Sequence, residues 1–138
     1  SRGAVYCIIL DHYSDLIARA MREIANAADG AVLIHCHSGK DRTGTICGLL
    51  LKLAGVNDKV IAADYAESQT RLWSVYEKAV EEAGGPENVN FWSRPTVTAQ
   101  MMHMMLDHVT NEYGDVEAYL TKAGLTPNEI EKIKMRLR

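Results

Sequence analysis

Cys36 and Arg42 stand six positions apart inside the polar stretch His35-Cys-His-Ser-Gly-Lys-Asp-Arg-Thr-Gly44. A loop curled on itself over that spacing can aim a sulfur and a guanidinium at one bound oxyanion, with phosphate the leading candidate. The thiolate is the nucleophilic form of cysteine, and at a helix N-terminus beside a cation its pKa falls from about 8.5 into a range of roughly 3.5–7.5. Its attack on a phosphate monoester would give a covalent phosphocysteine that water then hydrolyses, splitting one difficult displacement into two. Arg42 offers a planar fork matched to two equatorial phosphate oxygens. The loop after the cysteine supplies the other donors, so His37, Ser38, Gly39, Lys40, Asp41, Arg42 and Thr43 are the candidate phosphate-binding residues. Such donors also stabilise charge in the transition state. The Thr43 hydroxyl can bond the sulfur and help it ionise and leave. Gly39 permits a left-handed turn, and Gly44 lets the following helix approach a sheet closely. Asp41 is the candidate general acid for the leaving alcohol, against the alternative that it only braces the loop.

Other readings of the same residues are weaker. A lone cysteine after an apolar run is usually just a small hydrophobe, but the ordered set of Cys, Gly, Arg, Thr and Gly argues for chemistry. His35 and His37 flank Cys36, yet adjacent residues of an extended segment face opposite ways, and no second pair of ligands has metal spacing. No metal and no cofactor is expected. Gly39-Lys40 is followed by Asp rather than Ser or Thr, so the stretch is not a nucleotide P-loop. His103 and Asp107, one helical turn apart, read as a surface pair, and Cys7 and Cys47 as packed thiols.

The elements that must position the loop follow from periodicity. Ala31-Val-Leu-Ile-His35 is a short apolar run that predicts a buried strand, and Ile46, Leu49, Leu50 and Leu53 predict a helix ending at Gly55. A strand, loop and helix in that order bring backbone N–H groups and the positive end of the helix dipole to an anion. Residues 4 to 28 predict one long amphipathic helix, or two joined near Asp11, stopped by Asp29-Gly30. Asn57 caps a helix holding Val60, Ile61, Ala63 and Tyr65. Leu72, Val75, Tyr76, Ala79, Val80 and Ala83 form another stripe, broken at Gly84-Gly85-Pro86, with a loop over residues 84 to 95. Residues 96 to 113 predict a helix whose methionines pack into the core. A short helix around residues 115 to 123 precedes one opened by Thr126-Pro127-Asn128-Glu129, a capping signature. A buried parallel strand cannot exist alone. Further strands therefore lie in residues 1 to 10 or outside this sequence, on a second chain or in a preceding segment.

The chain has 138 residues, 47% hydrophobic and 24% charged, which is ordinary for one domain with its own core. Its net charge of −3 gives no basic field for nucleic acid. No window nears the roughly 20 apolar residues of a membrane span. Three cysteines without framework spacing fit reduced thiols in a cytoplasmic setting.

His35 to Gly44 resembles the signature of the cysteine-dependent protein tyrosine phosphatase superfamily, His-Cys-x5-Arg-Ser/Thr-Gly. The variant Gly-Lys-Asp-Arg-Thr-Gly is similar to a microbial tyrosine and serine phosphatase family. So are Ile61-Ala-Ala-Asp-Tyr65, the stretch from Tyr113-Gly114 through Tyr119-Leu120, and the last helix. The resemblance implies an α/β fold with a parallel sheet flanked by helices, this chain being mostly helical around the loop strand. It implies a single phosphatase domain over residues 1–138 that lacks its N-terminal strands. It implies Cys36 as nucleophile, Arg42 as phosphate clamp, Thr43 as aid to the sulfur, and Lys40 and Asp41 as active-site residues of this branch. The implied activity is hydrolysis of phosphotyrosine, with extension to phosphoserine, phosphothreonine or phosphoinositides. Partners would be a phosphorylated protein or phospholipid headgroup, with phosphate-like oxyanions as inhibitors. The rival is a phosphate-binding fragment or inactive homologue acting as a binding module. Weaker still is a sulfurtransferase or arsenate reductase.

Overall fold

Seven helices carry almost all of the regular structure in the computed structural model, which describes residues 1–138. They are α1 (Arg2–His12), α2 (Ser14–Asn26), α3 (Asp41–Leu53), α4 (Asp58–Ala83), α5 (Ala99–Tyr113), α6 (Val116–Ala123) and α7 (Pro127–Arg136). Two single 3₁₀ turns, Pro86–Asn88 and Phe91–Ser93, interrupt the connection between α4 and α5.

The N-terminal expectation resolves as two helices that meet at Tyr13, whose N–H still reaches the Ile9 carbonyl. No strand hides in residues 1 to 10. The stripe through α2 holds, with Ile17, Met21 and Ile24 buried, but Ile8 and Leu16 are exposed. On α1 the buried side chains are Arg2, Tyr6 and Leu10. The two stripes expected between Asn57 and Ala83 are one helix of 26 residues, capped at its start by the Asn57 side chain on the Lys59 N–H. Only Ile61, Ala62 and Tyr65 of that helix are buried. Past Tyr65 its apolar residues are half-buried or exposed. A helix can be carried by its own hydrogen bonds once its first turns are anchored.

The core is organised on α5. Met102, Met105, Leu106 and Val109 are fully enclosed and pack against α1, α3, α4 and α6. On the other side α2 rests on α6 and α7. The last helix opens as its sequence predicts: Thr126 Oγ1 accepts from the Glu129 N–H and the Glu129 carboxylate accepts from the Thr126 N–H. No helix is long and apolar enough to cross a membrane.

The expected buried strand over Ala31 to His35 is absent, and with it the parallel sheet. These residues belong to no ladder, and Ala31, Val32, Leu33 and His35 are exposed, Leu33 at 85%. A strand exists only through its pairing, and no other part of these 138 residues is a strand. The apolar character of the segment is unspent. Val32 and Ile34 border an open cavity of about 720 Å³, walled also by Ile24, Leu50 and Met135 from α2, α3 and α7.

Candidate active site

The loop from Cys36 to Lys40 feeds directly into the first turn of α3, which begins at Asp41. Gly39 makes the bend with a φ of +67°, a left-handed conformation that costs a side-chain-bearing residue about 1–2 kcal/mol. Gly44 serves a different purpose from the one its position beside a strand suggested. A Cβ there would lie 2.8 Å from the Tyr65 ring, so the missing side chain lets α3 close on α4 rather than on a sheet.

Cys36 is half-buried on this turn. Burial by itself would raise its thiol, but hydrogen bonds from the Thr43 hydroxyl and from the backbone N–H groups of Thr43, Gly39 and Ser38 outweigh it. The net effect draws the pKa down from 9.0 to about 7. The Thr43 Oγ1 is buried and has no hydrogen-bond partner of ordinary geometry. It is a donor left free beside the sulfur, where it acts to lower the thiol. Cys7 and Cys47 behave in the opposite way, since burial pushes both thiols up.

Cys36 opens into a cavity of about 410 Å³. His37, Ser38, Asp41 and Arg42 line it from the loop side, with Val5 and Ile9 of α1 and Asn90, Trp92 and Ser93 of the α4–α5 connection completing the wall. The exposed Arg42 guanidinium and the sulfur thus share one opening, as the six-residue spacing requires. Gly39, Lys40 and Thr43 border a smaller space of about 110 Å³ with Cys47, Asp64 and Tyr65.

Asp41 sits at the hub of a polar network. Its Oδ1 accepts the Tyr6 hydroxyl at 2.6 Å and has the Arg2 Nε 3.5 Å away, and its Oδ2 is bonded by Lys40 Nζ. Tyr6 and Tyr65 are joined through their hydroxyls at 2.5 Å, with their rings edge to face. Burial and the bond to Asp41 push the Tyr6 hydroxyl well above its ordinary range, and burial lifts Tyr65 to about 12. Both stay protonated and available as donors at any physiological pH. Lys40 is 1% exposed, and besides Asp41 it reaches the Trp92 carbonyl at 2.5 Å.

The expected residues Cys36, His37, Ser38, Asp41 and Arg42 therefore meet in one cavity. Arg2, Tyr6 and Trp92 join them without having been foreseen. Arg2 and Tyr6 are four apart on α1, a buried cation and a buried phenol on one helical face, which is the signal that could have found them. Trp92 lay in a stretch read only as a loop. His103 and Asp107 border a separate opening of about 400 Å³ beside Cys7 and His108, away from this site.

The tyrosine phosphatase family model matches residues 2–138, and the chain belongs to that family. It is 36% identical to a tyrosine-protein phosphatase of Nostoc commune over 144 aligned residues, which cover 99% of this chain and 49% of that protein. It is 28% identical to the triple specificity protein phosphatase PtpB of Mycobacterium tuberculosis, over 84% of this chain and 48% of the relative. The chain thus spans about half the length of the curated relatives it matches.

Proposed function

We propose that the protein hydrolyses phosphotyrosine, and with it other phosphomonoesters such as phosphoserine, phosphothreonine or phosphoinositides, through a phosphocysteine intermediate on Cys36. The observation that carries this is a thiol drawn to about 7 at the start of a helix, in one opening with Arg42 and next to a buried hydroxyl with no other use. Family membership supports it, and the name of the Mycobacterium relative supports a range wider than one phosphoamino acid.

The thiolate attacks phosphorus while the bond to the ester oxygen breaks, and the departing alkoxide or phenolate takes up a proton. Water then attacks the phosphorus of the thiophosphate, the S–P bond breaks, and inorganic phosphate leaves as the thiolate is restored. Arg42, which opens on the same cavity as the sulfur, faces the charge that builds on the equatorial oxygens. The Thr43 hydroxyl stabilises the sulfur as a leaving group in the second step. We assign the leaving-group proton to Asp41, which lines the cavity with Cys36. The bonds from Lys40 and Tyr6 to its two oxygens favour a second reading, in which the carboxylate only braces the loop. Vanadate and phosphate should compete with substrate for the same cradle. A working thiolate requires a reducing setting, which supports a cytoplasmic site of action.

The exposed apolar segment Val32 to Ile34 and the cavity beside it support a further element of the proposal. Strands from outside residues 1–138, on the same polypeptide or a second one, would pair with it and complete the sheet.

The test is a quench experiment on a ³²P-phosphotyrosine substrate. Acid should trap label on the wild-type protein and none on Cys36→Ser, which should still bind vanadate. Full turnover by Cys36→Ser would end the covalent route. Anion binding by the wild type without turnover of any phosphomonoester would leave a binding module.

A further inference from the structure

The cavity that holds Cys36 is lined both by polar groups, Ser38, Asp41 and Arg42 among them, and by the apolar side chains of Val5, Ile9 and Trp92. A phosphate dianion belongs beside Arg42 and the loop amides, which leaves the apolar side chains to receive the carbon portion of the ester. A phenyl ring is flat and apolar and can cover Trp92, whereas the single methylene of a phosphoserine cannot.

Trp92 is not on a loose strap. Its carbonyl receives the Nζ of the fully buried Lys40 at 2.5 Å, and its N–H is held by the Asn90 side chain at 2.8 Å. The buried Arg2 guanidinium bonds the carbonyls of Thr96, Arg94 and Phe91 at 2.5, 2.9 and 3.2 Å. It also lies 5.3 Å from the centres of both the Phe91 and Trp92 rings, within cation–π range. Lys40 and Arg2 both face the Asp41 carboxylate as well. Two enclosed cations therefore join the start of α3 to the 91–96 stretch. Yet Trp92, which lines the cavity, remains 43% exposed. A large aromatic side chain whose backbone is fastened this firmly, but whose ring is left uncovered, is a prepared contact surface.

We propose that Trp92 is a specificity-determining residue that favours aryl over alkyl phosphates, and that Lys40 is the positioning residue that holds it in the wall of the Cys36 cavity. The inference rests on the phosphatase reading for its substrate class, but its test does not depend on turnover. Lys40 acts here through the Trp92 carbonyl rather than on the phosphate, and Arg2 reinforces the same stretch from the α1 side.

The experiment uses the full-length protein carrying Cys36→Ser, titrated calorimetrically with phenylphosphonate and methylphosphonate. The parent should prefer the phenyl ligand. Trp92→Ala should reduce that preference about 3- to 10-fold, the worth of one aromatic contact, and Trp92→Phe should restore most of it. Lys40→Met should reduce the preference similarly, and combining it with Trp92→Ala should add little, because both act on one contact. In the enzyme with Cys36 intact, Trp92→Ala should raise KM for a phosphotyrosine peptide more than it lowers kcat. Equal affinity of the parent for both phosphonates, or an unchanged preference in Trp92→Ala, overturns the proposal. Additive effects of Lys40→Met and Trp92→Ala overturn the positioning role. Ring-selective binding without hydrolysis of any phosphomonoester would defeat the phosphatase reading alone, and hydrolysis without ring selectivity would defeat this inference alone.

Discussion

Replacing Thr43 by valine removes one hydroxyl while nearly conserving shape, and isolates what that group does for the Cys36 thiol. The Cys36 thiol stands at about 7 because the Thr43 hydroxyl and three backbone N–H groups outweigh a burial cost that acts in the other direction. A hydrogen bond to an ionised group contributes about 1.5–3 kcal/mol, or roughly one to two pKa units at about 1.36 kcal/mol each. The sulfur is half-open to solvent, which takes up part of the lost bond, so the lower figure applies and Thr43→Val should titrate near about 8. At pH 7 the thiolate fraction then falls from about one half to about one tenth, while the more basic sulfur regains a factor of about 3 in intrinsic nucleophilicity. Alkylation by iodoacetamide should therefore be only about 2-fold slower at pH 7 and somewhat faster than wild type above pH 9. The rate–pH curve is the assay, because it reads the thiol without the second ionisation of a phosphate substrate. The sign is fixed: reactivity rises with pH through the thiol pKa, and losing a donor to the thiolate moves that rise to higher pH. A midpoint that stays within about 0.3 units of wild type would refute the role given to Thr43.

Three further outcomes are expected. If Asp41 supplies the leaving-group proton, Asp41→Asn should slow an alkyl phosphate by about 10²- to 10⁴-fold and leave an activated aryl phosphate nearly untouched; equal losses in steady-state assays on both substrates would make the residue a brace. Gly44→Ala forces a methyl to within 2.8 Å of the Tyr65 ring and should cost about 1–3 kcal/mol in urea unfolding, unless α4 can shift. Leu106→Ala, at a fully enclosed position in the centre of α5, should cost about 2–5 kcal/mol in the same assay without moving the Cys36 midpoint.

What the residues dictated by themselves was local. Asn57, Thr126-Pro127 and Glu129 mark helix starts because their side chains answer backbone N–H groups within three residues, so no distant contact is needed to read them. The grouping of the loop from Cys36 to Thr43 was legible for the same reason: thiol, hydroxyl, guanidinium and the glycine at +67° all lie within one turn and the start of a helix. The strand over residues 31 to 35 was not decided locally, since a strand's hydrogen bonds belong to its neighbour, and this chain provides none. Periodicity also misjudged α1. Val5 and Ile9 look like core but border the Cys36 cavity, while the core face carries Arg2 and Tyr6, polar groups that burial tolerates only because Asp41 and the 91–96 carbonyls receive them. Tertiary structure alone brings Arg2 and Tyr6 to Asp41, Tyr65 to Tyr6 and Trp92 to Lys40, across separations of 35 to 59 residues. Long-range polar contacts of that kind leave no period in a sequence, because each depends on how whole helices pack rather than on which residues stand next to one another.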